Sequence, residues 1–138
     1  MWVIFLQGGG TIKSRINKIV GKINDDIIDK YKLYDYKDKD IIQSLDLYVH
    51  VNKHVLEFLN VDSYNHTMSN IDLIIKEPLF VYYDKDRNSL LYFKEIDENV
   101  CVVVKLTLRK NKDCYVATVY PISKNKINKY IEKSYIVN

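Results

Sequence analysis

Two apolar runs joined by a short charged loop constrain this chain more than any other feature of it. Residues 100–108, VCVVVKLTL, alternate strictly, a polar KNKD loop follows, and a second run extends from Cys114 to Pro121. Period-two alternation on both sides of a short polar break is the pattern of an antiparallel hairpin. With Lys110 to Asp113 as its loop, Arg109 faces Cys114, and the ladder sets Val104 opposite Val119, Leu106 opposite Ala117 and Leu108 opposite Tyr115. That face is apolar and belongs against a core. The other face then carries Lys105 opposite Thr118 and Val103 opposite Tyr120. A one-residue slip would exchange the two faces, so the pattern favours this register over its immediate neighbours. The second face displays an ammonium, a hydroxyl and a phenol together. It is either a phosphate-handling surface or the exposed half of a two-faced sheet, where Lys and Thr are ordinary.

The rest of the chain reads as helices first, then sheet, then one helix. Ile12, Ile16, Ile19, Val20 and Ile23 recur at helical spacing across 12–23, and Asn24 ahead of Asp25 and Asp26 predicts a cap opening a second helix to about Leu33, with Gly21 at the junction. YDYKDKD, residues 34–40, reads as a charged loop, and Leu45 to Val51 as a strand. Asn52 then caps a short helix through Asn60, with Val51, Val55, Phe58 and Leu59 inward and Lys53, His54 and Glu57 outward. VDSYNHT, residues 61–67, reads as a polar loop, and residues 69–77 as a short helix ended by Pro78.

Leu79–Tyr83 and Ser89–Lys94 form a hairpin across DKDRN, and DEN at 97–99 turns the chain into the opening hairpin. Ser123 caps a last helix with Ile127, Tyr130 and Ile131 on its inner face. This order predicts an α+β domain, with N-terminal helices packed on one face of a roughly four-stranded antiparallel meander sheet, a C-terminal helix, and the other face free for a ligand. A length of 138 residues suits a single domain, taken here as 21–138. Residues 1–20 read as a separate N-terminal segment: a strand, a helix, or a remnant of cloning or of a longer parent protein. Its opening MWVIFLQ is too short to span a bilayer.

The net charge of +3 is unevenly spread: residues from Lys105 to Asn138 carry +6 and the remaining 104 carry −3. A polyanion, nucleic acid first, suits that basic third. A solvated lysine-rich surface gives the same imbalance. Cys101 and Cys114 fall about eight positions apart along the predicted ladder, on the order of 26 Å at strand rise, so no disulfide is expected. Together with a start that lacks signal-peptide character, this leads us to expect a reducing, cytoplasmic setting and no membrane partner. CxxC, HExxH, Walker and dinucleotide patterns are absent, and Gly8 to Gly10 lack the spacing of a phosphate loop. His50 and His54, with only Glu57 near, leave a zinc site two ligands short, so no metal or cofactor is expected.

Metal-free cleavage of RNA needs less equipment. The neighbouring 2′-hydroxyl is the nucleophile, and the protein supplies a base for it, an acid for the 5′-oxygen, and cations or hydroxyls for the phosphorane oxygens. Histidine titrates near neutrality and serves as either base or acid. His54 lies on the polar face of a short helix, Lys105 can stabilise the phosphorane, and Thr118 and Ser123 can hold phosphate oxygens. Taken singly, His54 also fits an inert surface histidine and Ser123 a plain helix cap.

The run VHVNKHVLEFL, an apolar helix ending in KEP, the hairpin continuing into SLLYFK, then VVVKL and YVATVYPISKNKI, together resemble the phage and mobile-element branch of the barnase–EndoU–colicin–RelE-like nucleases. The resemblance spans roughly residues 20–135, including the lead-in VGKINDDIIDKYKL. It implies a small α+β domain and metal-independent ribonuclease activity, deployed as a toxin or in conflicts between phages, plasmids and hosts. It also implies a helix-borne histidine matching His54, a strand-borne basic residue matching Lys105, and strand and post-strand hydroxyls matching Thr118 and Ser123. Related sequences often carry a second histidine about five residues after the first, where this chain has Leu59. Three readings follow from that departure: His66 substitutes, Tyr120 or Tyr130 does the second proton transfer, or the domain binds without cutting.

The function expected is an endoribonuclease that leaves a 2′,3′-cyclic phosphate. The alternatives are a non-catalytic RNA- or protein-binding module and a toxin that cuts mRNA only on the ribosome. Expected partners are RNA, whether tRNA, mRNA or ribosome-bound, and an acidic antitoxin or immunity protein.

Overall fold

In the computed structural model, which describes residues 17–108 and 113–136, the chain runs β1 (Asn17–Lys22), α1 (Asp25–Tyr31), a 3-10 turn (Tyr34–Tyr36), β2 (Asp40–Ser44), α2 (Asp46–Val51), a 3-10 segment (Asn52–Glu57), α3 (Val61–Ser69), α4 (Ile71–Lys76), β3 (Phe80–Asp84), β4 (Ser89–Glu95), β5 (Asn99–Lys105), β6 (Cys114–Pro121) and α5 (Lys124–Ile136). The α+β class and the C-terminal helix are as expected. The sheet is larger than expected, with six strands in the order β1-β2-β6-β5-β4-β3. The predicted antiparallel meander is β3 to β6. β2 adds to it by a short parallel pairing with β6 at Ile41–Cys114 and Ile42–Tyr115, and β1 pairs antiparallel with β2. Among the described residues no helix is long and apolar enough to cross a membrane.

Where local reading and structure differ, tertiary pairing outweighs pattern. The isoleucines of 16–23 have helical spacing, yet Asn17–Lys22 is a strand because β2 supplies its hydrogen-bond partners; residues 12–16 lie outside the described residues. The strand crosses the expected boundary at residue 20, so residues 17–20 belong to the sheet. Its register shifts between Ile19 and Gly21, where Gly21 holds φ 150° and an added Cβ would lie 3.2 Å from Ile75 Cγ2. Leu45–Val51 is not a strand: β2 ends at Ser44, and α2 buries Leu47 and Val51 at i,i+4 spacing. The polar stretch 61–67 is the body of α3, whose cap Asn60 accepts a hydrogen bond from the Ser63 amide at 2.8 Å. Leu59, expected inward, is 71% exposed.

The opening hairpin also settles into a different register. Val103 faces Thr118, Cys101 faces Tyr120 and Lys105 faces Tyr115, with a bulge that sets Val104 against Val116. β5 ends at Lys105 because Leu106 leaves the ladder, and its amide donates to Asn88 O at 3.0 Å in the β3–β4 turn. A shift of two residues keeps every apolar side chain on its own face, so the hydrophobic pattern does not resist it. Only past the bulge do the faces change: Val116 and Cys114 enter the core and Tyr115 turns outward. Arg109 and the rest of the expected loop up to Lys112 lie outside the described residues.

Both faces of the central strands are covered. The main core gathers Ile27 and Ile28 of α1, Leu47 and Val51 of α2, Ile71, Ile74 and Ile75 of α4, and the inward side chains of the sheet. The N-terminal helices lie on one face as expected, but the other face is not left free. α5 crosses to the other side, where Ile127, Tyr130 and Ile131 pack on Leu91, Phe93 and Cys101. The reason is compositional: β4 is apolar on both faces and needs a second cover. Cys101 and Cys114 are both free, one in each core. Ile127→Ala (2% exposed) is expected to cost about 2–5 kcal/mol in urea denaturation. Tyr135→Ala (82% exposed), on the same helix, stays within about 0.5 kcal/mol. Equal losses would contradict the packing of α5.

Candidate nuclease site

The outer face of the meander is built in rows, set by the ladders. One row runs Asp84, Ser89, Lys105, Tyr115; the next Tyr82, Leu91, Val103, Thr118; the third Phe80, Phe93, Cys101, Tyr120. α5 covers the second and third rows on the β3–β4 side, with the Tyr130 ring 4.9 Å from that of Tyr82 and 5.4 Å from that of Phe93. On the opposite side β2 has left β6 after Ile42, and α2 with the 3-10 segment packs along the strand instead. The polar first row stays uncovered by either.

That departure of β2 places His54. The 3-10 segment sets its ring 6.0 Å from the ring of Tyr120, and Nδ1 lies 2.5 Å from Glu57 Oε2. A carboxylate on Nδ1 orients the ring and leaves Nε2 for proton transfer. Tyr120 itself hydrogen-bonds the Cys101 thiol across the ladder, and burial pushes its phenol well above the ordinary range. Burial likewise raises Cys101, to about 12. Tyr120 therefore keeps its proton at neutral pH. Tyr130 is raised by burial as well, less severely, with Lys133 Nζ 5.4 Å from its ring centre.

The remaining expected residues do not converge on one point. Thr118 lies one row from Tyr120, but its hydroxyl is buried and has no hydrogen-bond partner among the described residues. Lys105 stands two rows from Tyr120, roughly 13 Å along the strand, and its ammonium donates to the carbonyl of Arg87. Ser123 caps α5, accepting from the Lys126 amide at 3.2 Å. It lines a cleft of about 460 Å³ with Glu57, Glu95 and Glu98, a setting that repels phosphate. His66, on α3, is bound through Nδ1 to Asp97 Oδ2 at 2.6 Å, beside the Ser63–Glu98 contact that ties α3 to the β4–β5 turn. His50 is exposed on α2.

Two groups beside the expected residues have no site role in the sequence reading. Glu57 was legible in principle, three residues after His54 on one helical turn. Arg87 was not, because its place depends on the geometry of the β3–β4 turn; its charge favours the phenolates of both Tyr120 and Tyr130. A larger cleft, about 930 Å³, lies beside β1 at the far edge of the sheet. Its lining includes Asp25, Asp38, Asp72 and Glu77, more carboxylates than ammoniums, and so does not suit a polyanion.

The Asp97 hydrogen bond, with its charge, raises the titration of His66 above the usual 6.5. A group raised on folding stabilises the fold below its unfolded value, and that gain is lost as pH rises through the folded one. The His66–Asp97 pair thus supports the fold below about pH 6.5 and fades above it. A proton NMR titration of His66 should move back toward 6.5 in Asp97→Asn; an unchanged titration would contradict the contact.

Neither the curated proteins nor the solved structures include a match to this chain. The family model described as phage-Barnase-EndoU-ColicinE5/D-RelE like nuclease3 matches residues 17–129, from the first residue of β1 into α5. That span takes in every row of the outer face and the segment bearing His54, so the chain belongs to this family of nucleases.

Proposed function

We propose that the chain is a metal-independent endoribonuclease that cleaves RNA by attack of the 2′-hydroxyl, leaving a 2′,3′-cyclic phosphate. The observation that supports this most is His54, with Nδ1 held by Glu57 and its ring against Tyr120 at the rim of the outer face. In this reading Nε2 takes the proton from the 2′-hydroxyl and the neutral Tyr120 phenol donates to the phosphorane or the leaving oxygen. Arg87 supplies positive charge at the open row, Lys105 is bonded to the Arg87 carbonyl there, and Thr118 and Ser123 border the site. The exposed lysines 126, 129 and 133 of α5 line the approach and suit a polyanion.

A second reading is favoured by the buried hydroxyl of Thr118 and by Leu59 in place of a second histidine: a module that binds RNA and leaves it uncut. The exposed apolar side chains Val49, Leu56, Leu59 and Val61 on either side of His54 suit contact with a protein surface, whether an antitoxin, an immunity protein or a ribosome.

Purified protein incubated with total RNA in excess chelator is expected to generate 2′,3′-cyclic phosphate ends. His54→Ala should lower the rate by about 10²–10⁴-fold, the range for removing a general base. Binding that falls steeply with salt while RNA stays intact would favour the second reading. Cleavage that only His66→Ala abolishes would move the chemistry to the other histidine.

A further inference from the structure

Arg87 sits in the turn Lys85–Asn88 that joins β3 to β4, at the uncovered end of the outer face. That turn is unusually well fastened. Asn88 adopts φ 47°, its side chain accepts from Tyr83 Oη at 2.8 Å and donates to Tyr36 Oη and to the Leu106 carbonyl, and its own carbonyl receives the Leu106 amide. The Arg87 backbone is held just as closely. Its amide donates to Asp84 Oδ1, and its carbonyl accepts from Ser89 Oγ at 3.0 Å and from Lys105 Nζ. The Arg87 guanidinium, in contrast, makes no hydrogen bond or ion pair with a described residue. A rigid turn that carries an uncommitted guanidinium is the arrangement expected of an anion clamp, since the planar fork matches phosphate oxygens two at a time.

We propose that Arg87 is the cation that contacts the RNA phosphate on this face, and that Lys105 is a positioning residue that holds the Arg87 turn. The assignment rests on the nuclease reading above and deepens it. Lys105 spends one of its three donors on the turn and stands two rows from Tyr120. Arg87 has the longer reach, and its charge acts on the phenols of both Tyr120 on β6 and Tyr130 on α5. Of the carboxylates beside it in sequence, Asp84 is occupied by the turn's own backbone and Asp86 is exposed.

Two readouts on the full chain test this: cleavage of an oligoribonucleotide in chelator, and binding of its uncleavable 2′-O-methyl counterpart across a salt series. Arg87→Ala is expected to lower kcat/KM by about 10²-fold or more and to flatten the slope of log affinity against log salt by about 0.7, one phosphate contact on a single strand. Arg87→Lys should recover the slope but only part of the rate. Lys105→Ala should lower the rate less and leave the slope unchanged, and adding it to Arg87→Ala should cost nothing further, because both act through one group. A slope that falls in Lys105→Ala and not in Arg87→Ala overturns the proposal, as do additive losses in the double variant or a wild-type chain that binds no oligonucleotide. Binding with these slopes but without cleavage would sink the nuclease reading and leave the Arg87 assignment standing.

Discussion

The rest of the structure follows from β4 and β5 being apolar on both faces. A sheet that is wet on one side needs a single cover, and the N-terminal helices with α4 provide it. Leu91, Phe93 and Cys101 point the other way and would be stranded in water without α5. α5 is thirteen residues long and seats Ile127, Tyr130 and Ile131 over only part of the second face. The remainder is where the polar side chains Asp84, Ser89, Lys105 and Tyr115 collect, with Ser89 buried and Tyr115 exposed.

The position of His54 comes from a second consequence of sheet geometry. β2 pairs with β6 for two residues and then turns away into α2, so the later half of β6 has β5 on one side and no strand on the other. The segment from Asp46 to Glu57 fills that edge, and its tightened final turns carry the imidazole to the rim beside Tyr120. Tyr120 in turn is fixed by its ladder position opposite Cys101. The candidate site is therefore assembled from an edge vacancy and a half-covered face, with no dedicated loop.

Much of this was legible in the residues. The two hairpins, the helix start at Asn24, the cap at Ser123 and the inner face of α5 all follow from short-range pattern, and the structure keeps them, although the Asn24 side chain donates to the Lys76 carbonyl and does not cap α1. The register of β5 on β6 was not legible, because a shift of two preserves both faces, and the Leu106–Asn88 bond that selects it joins residues far apart in sequence. β1 was misread because an isoleucine-rich segment satisfies both periods, and only pairing with β2 decides. α3 was missed because its polar residues face the β4–β5 turn, where Ser63 and His66 meet Glu98 and Asp97. Of the site, the histidine and the tyrosines were legible as chemistry but not as neighbours. Arg87 belongs to a turn whose shape no local rule supplies.

The central claim is that the half-covered face between α5 and the His54 turn is where RNA binds. Amide and side-chain NMR shifts during titration with an uncleavable 2′-O-methyl oligonucleotide test it most directly. The account predicts the largest changes at His54, Arg87, Lys105 and Tyr120, with little at Asp25, Asp72 and Lys76 around the larger cleft beside β1. Changes centred on that cleft, with the His54 ring unmoved, would contradict it.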